Sequence, residues 1–391
     1  MEYKPNSKIP CVYMRGGTSK AVFFNAADLP CDATERDQVI LSAFGSPDRR
    51  QIDGMGGAAA PTSKTAIIKK SDRPGIDVDY TFGQVGITEP LVDYAMNCGN
   101  ISSAVGPYAI DEGFVEAVEP ETVVRIYNTN TGKEIDAVVP VKNGRAVTEG
   151  NFVIEGVPGT AAKVTLKFVA PQGGASGRLL PTGNARDTIE VEGKTYTYSF
   201  VDAANPIIFV RPEEFGLTGT ESPAEFRALP NHTELCRILE VIRGTGAVRI
   251  GLAKDLDDAK ANSQILPKIT FVRSPVSYAA LNGARVAAED VDAIFRLFTF
   301  NMTMMDAFMG TGAVCVITAA NTPGTIVNEI VCGSGKHPDN RVTTMRIGHP
   351  SGIMNVGADL CNNPDGTHTV KSGNIERTAR RIMEGFVYVR N

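Results

Sequence analysis

The sequence predicts an α+β protein of two β-rich halves, each built around one buried helix. Three observations carry that prediction. Short segments alternating apolar and polar residues follow one another along most of the 391 residues; long amphipathic helices are few; and two apolar segments interrupt the β pattern in the same manner. Alternation with a period of two marks a strand with one buried face, and a helix that is apolar all round belongs inside something. Unbroken runs of strands do not resemble the alternating order of a dinucleotide-binding βαβ fold. A chain of this length exceeds one ordinary core, so two domains are the default.

In chain order, KIPCVYM, KAVFFN, TAIIKK, VDYTFGQVGI, TVVRIYNT, KEIDAVVPV, KVTLKFV, TIEVEG, KTYTYSFVD and PIIFV read as strands, with Pro-Gly, Asn-Gly and Glu-Gly punctuation between segments. ERDQVILSAFG, TELCRILEVIRG, EDVDAIFRLFTFNMT and NIERTARRIMEG read as amphipathic helices. The pentapeptide GTGAV occurs twice, at Gly244–Val248 and Gly310–Val314. Its first copy reads as a helix C-terminal turn leading into a strand, and the repetition as coincidence. The Gly-rich loop GGASGRLLPTGNARD sets the expected boundary, giving domains 1–185 and 186–391, with the last strand able to pack on the first domain.

Composition excludes several function classes. With 42% hydrophobic and 21% charged residues, a net charge of −5 and no long basic run, nothing points to nucleic-acid phosphates. No apolar run reaches the roughly 20 residues that cross a bilayer, and the N-terminus lacks the apolar stretch of a signal peptide. The expectation is a cytoplasmic protein with no membrane partner. The seven cysteines are scattered without a C-x-x-C pair, and the four histidines form no H-E-x-x-H, so neither a disulfide framework nor a metal site is expected. Walker A, G-x-G-x-x-G after a strand and G-x-S-x-G are absent as well, so phosphate cradles and nucleophile elbows are poorly supported. A homodimer is the expected assembly.

The two apolar interruptions are Cys98–Gly106 and Met309–Ala320, each opening with glycine and small polar residues. A helix start leaves backbone N–H groups unpaired and carries partial positive charge, and glycine lets a ligand approach them closely. Two such starts facing one cleft would suit a small molecule with two anionic ends, such as a dicarboxylate. Tight packing against strands is the bland alternative for either one. At the first start, Cys98 is a candidate acid/base, because a helix N-terminus lowers a thiol pKa from about 8.5 into roughly the 3.5–7.5 range while a bound dianion pushes it back. The matching residue of the second start is Met309, whose thioether holds no proton. A second acid/base is offered by Lys64, after a Gly/Ala/Pro-rich loop and at the start of TAII, where partial desolvation favours a neutral amine. From local sequence alone it reads equally well as a strand-edge charge. In MRGGTSK the glycines and Ser19 read as substrate-facing.

MRGGTSKAVFF, GSPDRRQIDGMGG, PTSKTAIIKK, VDYAMNCGNISSAVGPYAIDEGFV, NTNTGK, PTGN, ANPIIF, NTPGTIVNEI, RIGHPSG and RTARRIMEGFVYV together resemble the methylitaconate isomerase/PrpF family, within the diaminopimelate-epimerase-like superfamily, from about residue 8 to the end. The resemblance implies two domains, each a mostly antiparallel β-roll around a central helix, and a cofactor-independent 1,3-allylic proton shift in a small unsaturated di- or tricarboxylate. It assigns the acid/base pair to Lys64 and Cys98. Implied substrate contacts are Gly17, Thr18, Ser19, Ser63, Gln84, Gly99, Asn100, Ile101, Ser102, Asn205, Met309, Gly310, Thr311 and Arg346. Arg346 and His349 read equally as carboxylate ligands or as braces of the second domain. The superfamily's epimerases hold a second catalytic cysteine where this chain has Met309, which argues against an amino-acid racemase. A non-catalytic carboxylate-binding partner of a dehydratase or aconitase is the rival from another class.

Overall fold

A computed structural model describes residues 7–95, 97–337, 339–364 and 368–390. The chain divides into two compact units, residues 1–167 with 376–391, and residues 168–375. In chain order the first holds strands β1 (Ser7–Gly16) and β2 (Ser19–Asn25), helix α1 (Ala33–Phe44), β3 (Lys64–Lys70), β4 (Val78–Val85), β5 (Val92–Asp93), helix α2 (Gly99–Asp111), β6 (Glu121–Asn128), β7 (Lys133–Lys142), β8 (Arg145–Ala146) and β9 (Lys163–Val169). The second holds β10 (Asp187–Val191), β11 (Lys194–Ala203), β12 (Asn205–Val210), α3 (Pro223–Arg227), α4 (His232–Arg249), α5 (Leu256–Asn262), β13 (Lys268–Arg273), β14 (Tyr278–Ala279), β15 (Arg285–Val286), β16 (Ala293–Thr299), β17 (Thr303–Met304), α6 (Gly310–Ala320), α7 (Ile326–Cys332), β18 (Thr344–His349) and β19 (Gly352–Asn362). Strand β20 (His368–Val389) runs out of the second unit into the first. The result is a mixed α/β fold in which strands dominate. No helix among the described residues is long and apolar enough to cross a membrane.

In the first unit the pairing β1–β2–β3–β4–β6–β7–β9–β20 returns to β1, which closes the sheet on itself. Closure removes exposed strand edges and leaves an interior that side chains or a helix must fill. Helix α2 fills it. It packs on β1, β2, β3, β4, β6 and β7, and all its residues but Asn100 and Asp111 are buried. Gly106 is where it presses hardest: an added Cβ would lie 2.8 Å from both Ala137 and Val139 of β7. Replacing Gly106 by alanine is therefore expected to lower the thermal unfolding midpoint, since overpacking costs about 1–3 kcal/mol against a helix-propensity gain of roughly 1 kcal/mol. Calorimetry would register this; an unchanged or raised midpoint would mean that the helix has room to shift.

The second unit repeats the order. Its sheet runs β10–β11–β12–β13–β16–β18–β19–β20, curved around α6, which packs on β11, β12, β18 and β19. Thr311 through Ala320 are all buried. On the other face of this sheet α4 covers Phe200, Ile208, Ile269, Phe271 and Phe298.

Three segments differ from the sequence reading. EDVDAIFRLFTFNMT contributes strand β16 rather than a helix. Residues Ala293 through Phe298 are all buried, Ile294 with Tyr278 and Val286, Phe295 against Phe209 and Phe308, and Phe298 against Phe226 and Phe271, so no alternation survives to mark the strand. Within it, Arg296 donates to the carbonyls of Glu221 and Thr220. NIERTARRIMEG is likewise strand, the part of β20 that pairs with β1. A bulge opposite Tyr13/Met14 breaks its period-two pattern, and Arg381 meets Asp111, Glu112 and Glu384. Finally, Gly244–Val248 stays inside α4. Gly246 lets the helix lie on the sheet, where an added Cβ would sit 2.6 Å from Ile208.

The division falls after Lys167, earlier than the expected 185/186 boundary. The Gly-rich loop is bound into the second unit: the buried Asp202 carboxylate accepts from the N–H of Ala175 and Ser176 and from the Ser176 hydroxyl, and its carbonyl accepts from Gly173.

Candidate active site

Cys98 is the N-cap of α2, in an extended conformation (φ −118°, ψ 101°), and no side chain caps the helix. By contrast α1, α3, α5 and α7 are capped by Asp32, Ser222, Asp255 and Thr325. The Cys98 N–H is taken by Asn97 Oδ1, and its carbonyl by the N–H and hydroxyl of Ser102. The amides of Gly99, Asn100 and Ile101, the first-turn donors that an α-helix leaves without intrahelical partners, are therefore offered to an anion beside a half-buried thiol.

The β1–β2 hairpin packs directly on this helix start. An added Cβ on Gly16 would lie 2.4 Å from the Asn100 carbonyl, and one on Gly17 (φ +51°) 2.3 Å from Asn100 Oδ1. No side chain fits there. The Asn100 amide donates to Thr18 Oγ1 at 3.0 Å, and Ser19, 5% exposed, begins β2. Two residues on, Ala21 pairs in parallel with Lys64, the first residue of β3. Lys64 thus lies at the end of the barrel where α2 begins.

Register also fixes the face on which Lys64 lies. Lys64 pairs with Gln84, Ala66 with Phe82 and Ile68 with Tyr80 across β3 and β4, and directly opposed residues share a face of the sheet. That face receives α2: the buried phenol of Tyr80 is pushed well above its usual range, by burial first and then by Cys98 at the start of α2. Lys64 is 8% exposed. Its ammonium donates to Gln84 Oε1 and stands 5.1 Å over the Phe82 ring. The Gln84 amide donates to the carbonyls of Ser63 and Ala60, which fixes the carboxamide so that its oxygen must meet the lysine. Gln84 is therefore the residue that aims Lys64.

Some expected contacts serve the scaffold. The Ser63 hydroxyl is fully buried and donates to Gln51 Oε1, which also accepts from the Ala58 N–H. Ser102 and Ile101 are fully buried within α2. Arg346, in the second unit, pairs with Asp292 through its side chain and its N–H. Burial raises the Asp292 pKa, but the Arg346 contacts outweigh it and the carboxyl stays below its usual range. His349 is 2% exposed, and its ring accepts from the Ser351 N–H. Of the two readings of these residues, bracing is the one their contacts support.

Sequence reasoning missed Arg377, which reads as one charge among several in RTARR. Its guanidinium donates to Asn100 Oδ1 at 3.3 Å. Burial brings its pKa down to about 10, opposed by the nearby Cys98. A cation therefore stands beside the thiol and the open amides, where a carboxylate would dock.

In the second unit Met309 occupies the N-cap of α6, again extended and again with no capping side chain. The Asn205 amide donates to Thr311 Oγ1 at 2.7 Å, both residues being buried. Gly310 and Thr311 begin the helix, as Gly99 and Asn100 begin α2. Among the described residues no three His, Cys, Asp or Glu side chains converge as metal ligands.

The chain is similar to known proteins along nearly its whole length. A model of the PrpF protein family matches residues 6–390. The chain is 46% identical over 388 residues to 3-methylitaconate isomerase of Eubacterium barkeri, covering 98% of this chain and 97% of that protein. It is 44% identical over 403 residues to 2-methyl-aconitate isomerase of Cupriavidus necator, covering 100% and 99%. A crystal structure of methylitaconate-delta-isomerase superposes with a TM-score of 0.87 at 45% identity, covering 99% and 97% of the two chains.

Proposed function

Because the chain belongs to the PrpF family and is an isomerase of small unsaturated carboxylates, we propose that it moves a C=C bond by a 1,3-allylic proton shift. The proposed substrate is a di- or tricarboxylate of the 2-methylitaconate/dimethylmaleate type, and Lys64 and Cys98 carry the proton transfers. The single observation behind the residue assignment is the placing of a buried lysine at the barrel end where an uncapped helix presents a thiol.

Removing an allylic proton from an unsaturated carboxylate is difficult because negative charge accumulates on a molecule that is already anionic. Backbone donors aimed at the developing dienolate lower that cost without reorganising, and one such donor is worth about 10²–10³ in rate. Gly99, Asn100 and Ile101 supply the amides, with Arg377 as counter-cation to the carboxylate. The Lys64 amine and Cys98 thiol then share removal of the proton from one carbon and return of a proton two carbons away. All these roles fall to side chains and backbone, in keeping with a cofactor-independent reaction. Met309 speaks against epimerisation by a pair of thiols. The same reading extends to the fold: two diaminopimelate-epimerase-like units, each a β-roll around its helix, supported by the buried α2 and α6. The free thiols of the described residues suit a reducing, cytoplasmic setting.

The test is an ultraviolet assay of double-bond migration against itaconate-, aconitate- and oxalomesaconate-type acids, with proton NMR in D₂O. Migration with deuterium entering the allylic position is expected for at least one acid. Wild-type protein that migrates the double bond of none would end this reading.

A further inference from the structure

The loop GSPDRRQIDGMGGAAAPT, between α1 and β3, has no part in the chemistry proposed above. Most of it faces solvent, Arg49, Arg50, Ile52 and Asp53 included. One side chain does not: Gln51 is 1% exposed. Its backbone stands in the left-handed region (φ +47°), a conformation that a non-glycine residue keeps only where its surroundings hold it. The result is a single buried carboxamide within an exposed loop.

Both ends of that carboxamide are used. Gln51 Nε2 donates to Ser46 Oγ at 3.0 Å, and the Ser46 hydroxyl donates to the carbonyl of Gly86, just beyond β4. Gln51 Oε1 accepts from the Ala58 N–H at 2.8 Å and from the Ser63 hydroxyl at 2.6 Å. A backbone N–H can only donate, so the carboxamide has one possible orientation. Its oxygen therefore pins the segment 58–63 at both ends, and its nitrogen ties that clamp to the end of β4.

The two carbonyls that lock Gln84 lie inside the pinned segment. Gln84 Nε2 donates to Ala60 at 3.2 Å and to Ser63 at 2.9 Å, and the Ser63 carbonyl also accepts from the Val85 N–H. Gln84 Oε1 in turn receives the Lys64 ammonium, and Lys64 follows Ser63 directly in the chain. Hydrogen bonds thus run without a gap from Gln51 to Ser63, on to Gln84 and so to Lys64. Every one of these residues belongs to the first unit.

Resting on the reaction proposed above, we propose that Gln51 is a positioning residue for Lys64: it holds the carbonyls of Ala60 and Ser63 where they lock the Gln84 carboxamide, and Gln84 holds the amine. A proton carrier must meet its carbon closely, and a displacement of about 1 Å can cost about 10²-fold in rate. A loop rich in glycine and alanine does not supply that precision through its own backbone, which has many accessible conformations. The buried carboxamide supplies it. Gln51 acts through Lys64 and touches no reacting atom.

The test is a double-mutant cycle of Gln51→Leu with Lys64→Ala, read by steady-state kinetics of double-bond migration. Gln51→Leu removes the bonds to Ser46, Ala58 and Ser63. Alone, it is expected to lower kcat by about 10²-fold with a much smaller change in KM. Added to Lys64→Ala it should bring almost no further loss, because effects that pass through one residue do not multiply. A purely structural role would show the opposite pattern. A folded Gln51→Leu protein with unchanged kcat, or losses that multiply in the double variant, would overturn this role while leaving the isomerase reading intact. Wild-type protein that migrates the double bond of no acid would overturn that reading instead. Amide exchange reads the clamp without turnover: the Ala58 N–H should exchange faster in Gln51→Leu, and unchanged exchange would overturn the clamp. Should Gln51→Leu fail to fold, Ser63→Ala removes one of the two bonds to Oε1 and is expected to lower kcat by about tenfold; an unchanged kcat there would overturn the role equally.

Discussion

Replacing Lys64 by alanine is expected to lower kcat for double-bond migration by about 10³-fold, within the range of roughly 10²–10⁴ that a positioned acid or base contributes. The lysine begins β3 with its ammonium held by Gln84 and enclosed at the barrel end where α2 starts. Removing it takes away the proposed proton carrier and leaves the uncapped amides of α2, Asn100 and Arg377 in place. KM should therefore change far less than kcat. Lys64→Arg is expected to fail as well, since a guanidinium does not give up its proton in a protein. The thermal midpoint should not fall by more than a few degrees, as the lysine makes no ion pair among the described residues. The ultraviolet assay and calorimetry on the same samples check all of this; activity within threefold of wild type in a folded Lys64→Ala protein would remove the residue from the mechanism.

Cys98→Ser is expected to cost about 10²-fold in kcat, again with KM little changed. A serine hydroxyl keeps the shape of the N-cap and even favours it, so loss of activity cannot be put down to a frayed helix. The change is chemical, because an alcohol releases its proton far less readily than a thiol. Because the thiol is half-buried while Cys11 and Cys315 are buried, iodoacetamide should alkylate Cys98 and abolish turnover, and a bound diacid should protect it. Peptide mapping separates this from alkylation of the exposed Cys31 and Cys361 and of the equally half-buried Cys236 and Cys332. An enzyme fully modified at Cys98 yet still active would exclude thiol chemistry.

The two predictions differ in how visible their residues were in the chain. Cys98 could be read locally, since a cysteine before Gly-Asn and an apolar segment announces a helix N-terminus. Lys64 could not, because TSK reads equally as a solvated strand end until β2 and β4 flank it. Arg377 was hidden more deeply. Its contact with Asn100 spans 277 residues of sequence and depends on β20 pairing with β1.

What the sequence determined by itself is the local physics: which segments alternate, where glycine opens a helix start, and which two helices are too apolar to face water. These depend on neighbours a few residues apart, and they emerge as β1–β4, β6, β7, β9–β12, α2 and α6. Only the tertiary structure decided that EDVDAIFRLFTF and NIERTARRIMEG are strands. The first is buried on both faces and the second closes a barrel, so burial by distant layers and cross-strand pairing outweighed a helical spacing of apolar residues. The same holds for Lys64. A lysine's role is set by what surrounds it in space, and those surroundings come from strands and helices far apart in the chain.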